Sequence, residues 1–304
     1  MTLAAAVCAP FILQSVKAQR WWIYGQLGLA VVVVILIQLF PDQQALARGQ
    51  ASISGSNTIG VGRLLGAGTI IAVLHAICVR RARIFTAIVA LGLGAALLIV
   101  GNRASFIAVV VTVICTALLS RRFSGVRLRI LAVVSIGLAC AATAVATGKV
   151  GSSSRISALL QGSDSTVLVS NNVRQSLLEV AIRTSADNPI GVGWGGLSSM
   201  PELASGLGEN VYPHNVVAEL FAEGGWLAGM GFLVFLSLAI SRLRRVSETR
   251  INTLLLSLAI YWTVVALFSE DINGNRMMWI SLALAFGIPA AGRAPKDRTV
   301  GTAH

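Results

Sequence analysis

The chain has 304 residues, 55% of them hydrophobic and 12% charged, with a net charge of +12 and a mean hydropathy of +0.78. A soluble domain carries about 25% charged residues, so half the usual charge is missing and a soluble enzyme is excluded. Cys8, Cys78, Cys115 and Cys140 lie in apolar runs without Cys-x-x-Cys or Cys/His spacing, and read as small buried hydrophobes rather than disulfides or metal ligands.

The first run, "MTLAAAVCAPFILQ", lacks a basic start and a small-residue cleavage site, so it is a poor signal peptide. It reads as a half-helix or as the remnant of a longer N-terminus. After it the apolar residues come in blocks long enough to cross about 30 Å of hydrocarbon as helix. Eight spans are expected, near 22–40, 58–78, 84–100, 104–120, 129–147, 215–240, 252–269 and 276–292. The predicted fold is all-α: one polytopic membrane bundle over 1–304, with a long loop over 148–213 that carries a short amphipathic helix.

The basic residues set the orientation. Lys17, Arg20, Arg80, Arg81, Arg83, Arg121, Arg122, Arg127, Arg129, Arg242, Arg244, Arg245, Arg250, Arg293, Lys296 and Arg298 are sixteen of the 24 Lys and Arg, and all fall on one side of these spans. Only Glu248 and Asp297 accompany them. That side is expected to be cytoplasmic, with both termini on it. The surplus charge is a topology signal, and no nucleic-acid partner is required. The long loop then lies outside, and a loop of that length points to function.

Within that loop, "GKVGSSSRISALLQGSDSTVLVS" is small and polar and reads as mobile. "SNNVRQSLLEVAIRTSADNP" reads as a helix capped by Ser170 or Asn171 and stopped before Pro189. Val173, Leu177, Val180 and Ala181 form an apolar arc, extended by Leu178. Gln175, Glu179 and Arg183 form a polar ladder at i, i+4 spacing. Such a helix lies along the outer membrane surface or over the bundle. Arg174 falls inside the apolar arc, either snorkelling to the interface or pointing beneath the helix into a cavity, toward an anionic ligand. In "NPIGVGWGGLSSM", Gly191, Gly193 and Gly196 match a dinucleotide fingerprint by spacing. A helix rather than a strand precedes them, so the match is rejected. They read as a tight re-entry turn with Trp194 at the interface.

"NVYPHNVVAELFAEGGW" then opens the sixth span with ionisable residues, which are functional candidates at membrane depth. Asn215, Glu219 and Glu223 share one helix face, with His214 at the first turn. His214 is either an interfacial histidine bonded to a loop carbonyl or a working group at a cavity mouth. A single His is not a zinc site. Glu219 and Glu223 either complement the helix N-terminus or line the cavity, and Glu223 is the harder to explain. Arg103, in "GNRASF", occupies a tight turn, as an anchor or a ligand-binding group. Arg63, inside the second span, needs a partner or an anionic ligand, and the guanidinium fork suits phosphate. Glu270, Asp271 and Arg276 bracket the last outer turn.

The stretches "VRQSLLEVAIRTSADNPIGVGWG" and "PHNVVAELFAEGGWLAGMGFLVFL", in that order, resemble the C-terminal signature of O-antigen ligases and O-antigen polymerases. "GNRASFIAVVV" is similar to the family's Ser-Arg-Gly turn, with Asn102 for Ser and Ala104 for Gly, and Asp187 keeps the acidic residue after the helix. The likeness covers about residues 55 to 290. Members usually have ten to twelve spans, and the helices missing here are N-terminal. The resemblance implies transfer of a glycan from an undecaprenyl-diphosphate carrier to a hydroxyl of a glycan or lipid acceptor. It also implies a site on the outer face of the cytoplasmic membrane, with no cofactor and no required metal. Arg103, Arg174 and Arg63 would hold the diphosphate, His214 would take the acceptor's proton, Glu219 would orient the histidine or bind sugar hydroxyls, and Asn215 would bind substrate. The competing reading is a transporter or lipid-carrier flippase without transfer chemistry, which predicts charged or broken helices in paired halves near mid-membrane.

Overall fold

A computed structural model describes residues 2–43, 51–125, 165–200 and 212–288. Every regular element among them is helical. In chain order these are α1 (Thr2–Ile12), α2 (Val16–Leu39), α3 (Thr58–Cys78), α4 (Arg83–Val100), α5 (Arg103–Leu119), α6 (Ser165–Asp187), α7 (Val216–Glu223), α8 (Gly225–Val246), α9 (Arg250–Ala266) and α10 (Arg276–Gly287). Short 3-10 turns at Arg80–Ala82, Arg121–Phe123 and Leu197–Ser199 complete the set.

The helix starts follow local chemistry. Ser15, Asn57, Asn102, Asn215 and Thr249 each sit one residue before a helix and accept a hydrogen bond from its first-turn amides. Gly101, in the left-handed region, ends α4 and turns the chain into α5.

Four segments are long and apolar enough to cross a membrane: Val16–Leu39, Thr58–Cys78, Arg80–Val100 and Gly225–Val246. The shorter apolar helices α5, α9 and α10 coincide with three more expected spans. The expected span at 129–147 lies outside the described residues. The expected sixth span divides: α7 is a separate eight-residue helix, and the long helix begins only at Gly225. The expected half-helix at the N-terminus is α1, which packs on α10. Its Cys8 is exposed while Ala9 is buried, so Cys8 is not the buried hydrophobe expected of it.

α3 and α9 occupy the centre. Glycines on α3 allow close approach: Gly62 abuts the Asn102 side chain, Gly66 the Tyr261 hydroxyl and Gly68 the Ala30 methyl, and a Cβ at any of them collides. Around this core, α2, α4 and α8 turn large apolar side chains outward, including Ile84, Phe85 and Leu91 on α4 and Met230, Val234 and Leu238 on α8. Large apolar side chains outside and small polar ones within suit a lipid environment. The α5–α9 seam, for example, holds hydroxyls: Thr116 donates to Ser257 at 3.0 Å, and Ser120 donates to the Ser247 carbonyl at 3.2 Å.

The two ends of the bundle differ. Arg80, Arg81, Arg121, Arg122, Arg244, Arg245 and Arg250 gather where α3, α5 and α8 end and α9 begins. At the opposite end, side chains tie together the starts of α3, α5 and α10 with the 267–275 turn. Asn102 donates to the Ile59 carbonyl at 3.1 Å, and Arg63 is hydrogen-bonded to Asn275.

Candidate functional site

The acid–base candidates meet at that second end. α6 begins at Ser165, at least five residues before the expected cap, and runs to Asp187. The extension is apolar and β-branched ("STVLVS"), which hid it beside the polar stretch preceding it. Leu177 and Ala181 are buried against Ala222 and Leu197, with Val173, Val180 and Ala218 packed around them. α6 therefore lies over the bundle, on α7, and its apolar arc faces protein. Of the expected polar ladder, Gln175 donates to Glu179 at 3.1 Å. No ion pair joins Glu179 and Arg183 among the described residues.

Arg174, on the buried side of α6, reaches the field of His214 and Tyr212. His214 takes a left-handed backbone (φ 54) just before Asn215 caps α7. The Asn215 side-chain oxygen accepts from the amides of Val217 (3.0 Å) and Ala218 (3.1 Å), so this carbonyl oxygen is committed to the helix start. The His214 ring leans on the Tyr212 ring, with centroids 4.4 Å apart. Its Nδ1 is buried and has no hydrogen-bond partner among the described residues. Burial first, and the Arg174 charge second, push the imidazole down to about 4. His214 is therefore neutral at physiological pH, with a ring nitrogen that no described residue occupies.

α7 precedes the membrane-spanning helix, and its two buried glutamates serve different loops. Glu219 Oε2 accepts the Ile272 amide at 3.0 Å, tying α7 to the 267–275 turn. Burial pushes its carboxyl up to about 8 against that hydrogen bond, with Glu223 and Asp271 adding to the rise. It forms no hydrogen bond to His214. Glu223 Oε2 accepts the Gly195 amide at 2.9 Å.

This second bond belongs to a backbone seam. The Val192 amide donates to the Ala222 carbonyl and the Gly193 amide to the Glu223 carbonyl, both at 3.0 Å. The Trp226 amide donates to the Pro189 carbonyl, and its indole to the Ser185 carbonyl, both at 2.9 Å. Gly191 and Gly225 have positive φ and lie against each other's strand of the seam, where a Cβ on either meets backbone. The glycine-rich turn is thus docked on the α7–α8 break, and Glu223 has its explanation. Trp194 remains largely exposed beside it.

The arginines divide. Arg63 is buried, ion-paired with Glu270 and 5.7 Å from the Trp262 ring centroid; its main-chain carbonyl accepts the Tyr261 hydroxyl at 2.7 Å. Its charge is answered by protein, through a pairing of Arg63 and Glu270 that no local pattern reveals. Arg103 begins α5 directly after the Asn102 cap and is partly buried. Tyr212, not among the expected site residues, packs on the His214 ring and lies in the field of both Arg174 and the acids of the 270–271 turn. Burial, then Asp271 and Glu270, push its phenol up, while Arg174 pulls it down. The signal available in advance was an aromatic two residues before the histidine in "YPHN". Among the described residues, no group of three or more His, Cys, Asp or Glu could hold a metal ion.

The titrations have opposite signs. A histidine held at about 4 in the fold stabilises it fully above pH 6.5, and that contribution is lost as pH falls toward 4. A glutamate held at about 8 stabilises below about 4.5, and that contribution is lost as pH rises through 8. Between pH 5 and 6.5 the two contributions oppose each other and nearly cancel, so thermal unfolding in nanodiscs is expected to be nearly flat there and to fall as pH rises from 6.5 through 8. The His214→Asn variant is expected to lose the opposing contribution, so that its stability falls continuously from pH 5 upward.

Comparison with known proteins returned one family and nothing else. No curated protein and no solved structure matches the chain. The family model described as O-antigen ligase matches residues 85–233. That segment runs from α4 into α8, and it contains Arg103, Arg174, the glycine turn, His214 and both glutamates. With its apolar helices and this match, the chain is a multi-pass membrane protein that is similar to the O-antigen ligase family over residues 85–233.

Proposed function

We propose that the chain transfers a glycan from an undecaprenyl-diphosphate carrier to an acceptor hydroxyl, at the outer face of the cytoplasmic membrane. The observation that carries this reading is the placing of a neutral His214 in the field of Arg174, with an Nδ1 that has no partner among the described residues. One group suits a diphosphate and the other a hydroxyl proton. In the reaction the acceptor oxygen attacks the anomeric carbon, and its proton passes to the His214 ring. The carbon–oxygen bond to the diphosphate breaks, and the electron pair leaves on phosphate oxygen. Arg174 stabilises that growing charge, with Arg103 contributing from the first turn of α5. Stabilising charge at preorganised donors is commonly the largest catalytic term.

Donor binding also strengthens the base. The Arg174 charge is one of the two causes that hold His214 down. A diphosphate docked on Arg174 cancels that repulsion and favours the imidazolium. The acid limb of kcat/KM, which reports the free protein, is then expected near pH 4. The limb of kcat is expected to lie higher. Coincident limbs near 6.5 would remove this account of the base.

The orientation follows from the basic end of the bundle, which we assign to the cytoplasm with both termini. The partners are then the carrier-linked donor, a glycan or lipid acceptor and the bilayer. Incubating the protein in nanodiscs with an undecaprenyl-diphosphate oligosaccharide, with and without a separate acceptor, tests the reading. A ladder of repeats marks a polymerase and one discrete conjugate marks a ligase. Unchanged donor in both tubes, with transport of it across vesicles, would instead establish the flippase.

A further inference from the structure

Tyr212 occupies a position that the catalytic pair leaves unexplained. Its ring leans on the His214 imidazole at 4.4 Å between centroids, with 57° between the planes. It is half-buried, so part of the residue stays accessible to what enters the site. The Arg174 guanidinium and the acidic side chains of Asp271, Glu270 and Glu219 all act on its hydroxyl, and the Glu219–Ile272 hydrogen bond holds the 267–275 turn beside α7. All three are held by the protein itself: Glu219 accepts the Ile272 amide, as described above. Asp271 Oδ1 accepts the Gly274 amide at 2.7 Å, and Glu270 is paired with Arg63. Each leaves its second oxygen for another donor.

An aromatic face flanked by fixed carboxylates matches one chemical class closely. A pyranose ring presents polarised C–H bonds on its faces and hydroxyl donors around its edge. The C–H bonds are attracted to the negative face of an aromatic ring. The hydroxyls donate to carboxylate oxygens, in hydrogen bonds stronger than those to neutral acceptors. A diphosphate does not suit the 270–271 turn, because its carboxylates repel it. The site thus brings both a cation, Arg174, and the acids of the 270–271 turn to bear on one tyrosine.

We propose that Tyr212 is the platform for the sugar ring that carries the attacking hydroxyl, with Asp271 gripping its neighbouring hydroxyls. Tyr212 thereby sets the acceptor beside His214. This rests on the transferase reading above and deepens it by assigning the two substrates to different groups, the donor to Arg174 and the acceptor to Tyr212 and Asp271. It makes the acceptor a sugar rather than a peptide or fatty alcohol, and it makes Tyr212 a determinant of acceptor affinity, not of donor affinity.

The test uses the full chain in nanodiscs and saturation-transfer NMR with a panel of methyl glycosides. Wild-type protein is expected to saturate the face protons of at least one glycoside, Tyr212→Phe to retain that signal, and Tyr212→Ala to lose it. Asp271→Asn, which spares the ring, is expected to weaken binding while keeping the face contact. In the transfer assay, Tyr212→Ala is expected to raise the acceptor KM about tenfold, equivalent to ~1.4 kcal/mol, with the donor KM unchanged. Equal saturation in wild type and Tyr212→Ala, or a rise in donor KM instead, would overturn the platform while transfer itself stood. Ring-dependent glycoside binding in a protein that transfers nothing would keep the platform and remove the transferase. A misfolded Tyr212→Ala is recognised by its unfolding temperature, and the Phe and Asn variants then decide.

Discussion

Replacing His214 by asparagine is expected to lower glycan transfer about 10²- to 10⁴-fold, the usual contribution of a general base, with the protein still folded. Asparagine is the informative choice because residue 214 sits at φ 54. Asparagine adopts the left-handed region more readily than most residues, so its effect separates lost chemistry from lost backbone geometry. Alanine is expected to lose the same activity and some stability as well. Arg174→Ala is expected to reduce transfer by a comparable factor, with one additional signature. Removing the guanidinium removes the second cause of the depressed imidazole, so the His214 titration moves up toward 6.5. The chain has only three histidines, so nitrogen-15 spectra of labelled protein can follow that shift without kinetics. A His214→Asn protein that transfers at the wild-type rate would end the assignment.

The largest expected effect on stability lies at the glycine seam. Gly225→Val is expected to cost about 3 kcal/mol or more, because two penalties coincide. The left-handed backbone (φ 72) disfavours any side chain, and a β-branched one most. The Cβ also meets the Ile190 and Pro189 carbonyls, which are backbone and cannot swing aside. Gly191→Ala is expected to behave similarly, since its Cβ meets the Glu223 carbonyl and the Gly225 amide. Gly193→Ala separates the two terms: φ is 87, but no atom lies within 4 Å of its Cβ. It is expected to cost only the conformational part, about 1–2 kcal/mol. Unfolding temperatures of the three variants in one detergent measure the ranking. Equal losses at 193 and 225 would show that contact across the seam contributes nothing.

The legible and illegible parts of the sequence differ in physical range. Helices betray themselves locally, through apolar runs and through Asn and Ser caps, and nearly every helix described here coincides with an expected segment. Arg174 was visible because one charge broke an apolar arc. What a single strand of letters hides is which loop amide a side chain will answer. Asn215, Glu219 and Glu223 share one face at i, i+4 spacing and look like one polar lining. In the fold the first caps its own helix, the second holds Ile272 and the third holds Gly195. The split of the expected sixth span at Gly224 was hidden for the same reason. A positive φ at Gly225 is dictated by the Pro189–Gly191 turn docking against it, more than thirty residues earlier in the chain. Tyr212 went unnoticed because an aromatic near a membrane boundary is ordinary until its neighbours are known.

The pairing of Arg63 with Glu270 also fixes an order of events during synthesis. The arginine is translated 207 residues before its counter-ion, an interval of roughly 10 to 40 s at cellular elongation rates. Until then the Arg63 guanidinium lacks the carboxylate that pairs with it in the fold. A chain ending before Glu270 would leave that charge buried without its counter-ion, the costly case for a buried ion pair.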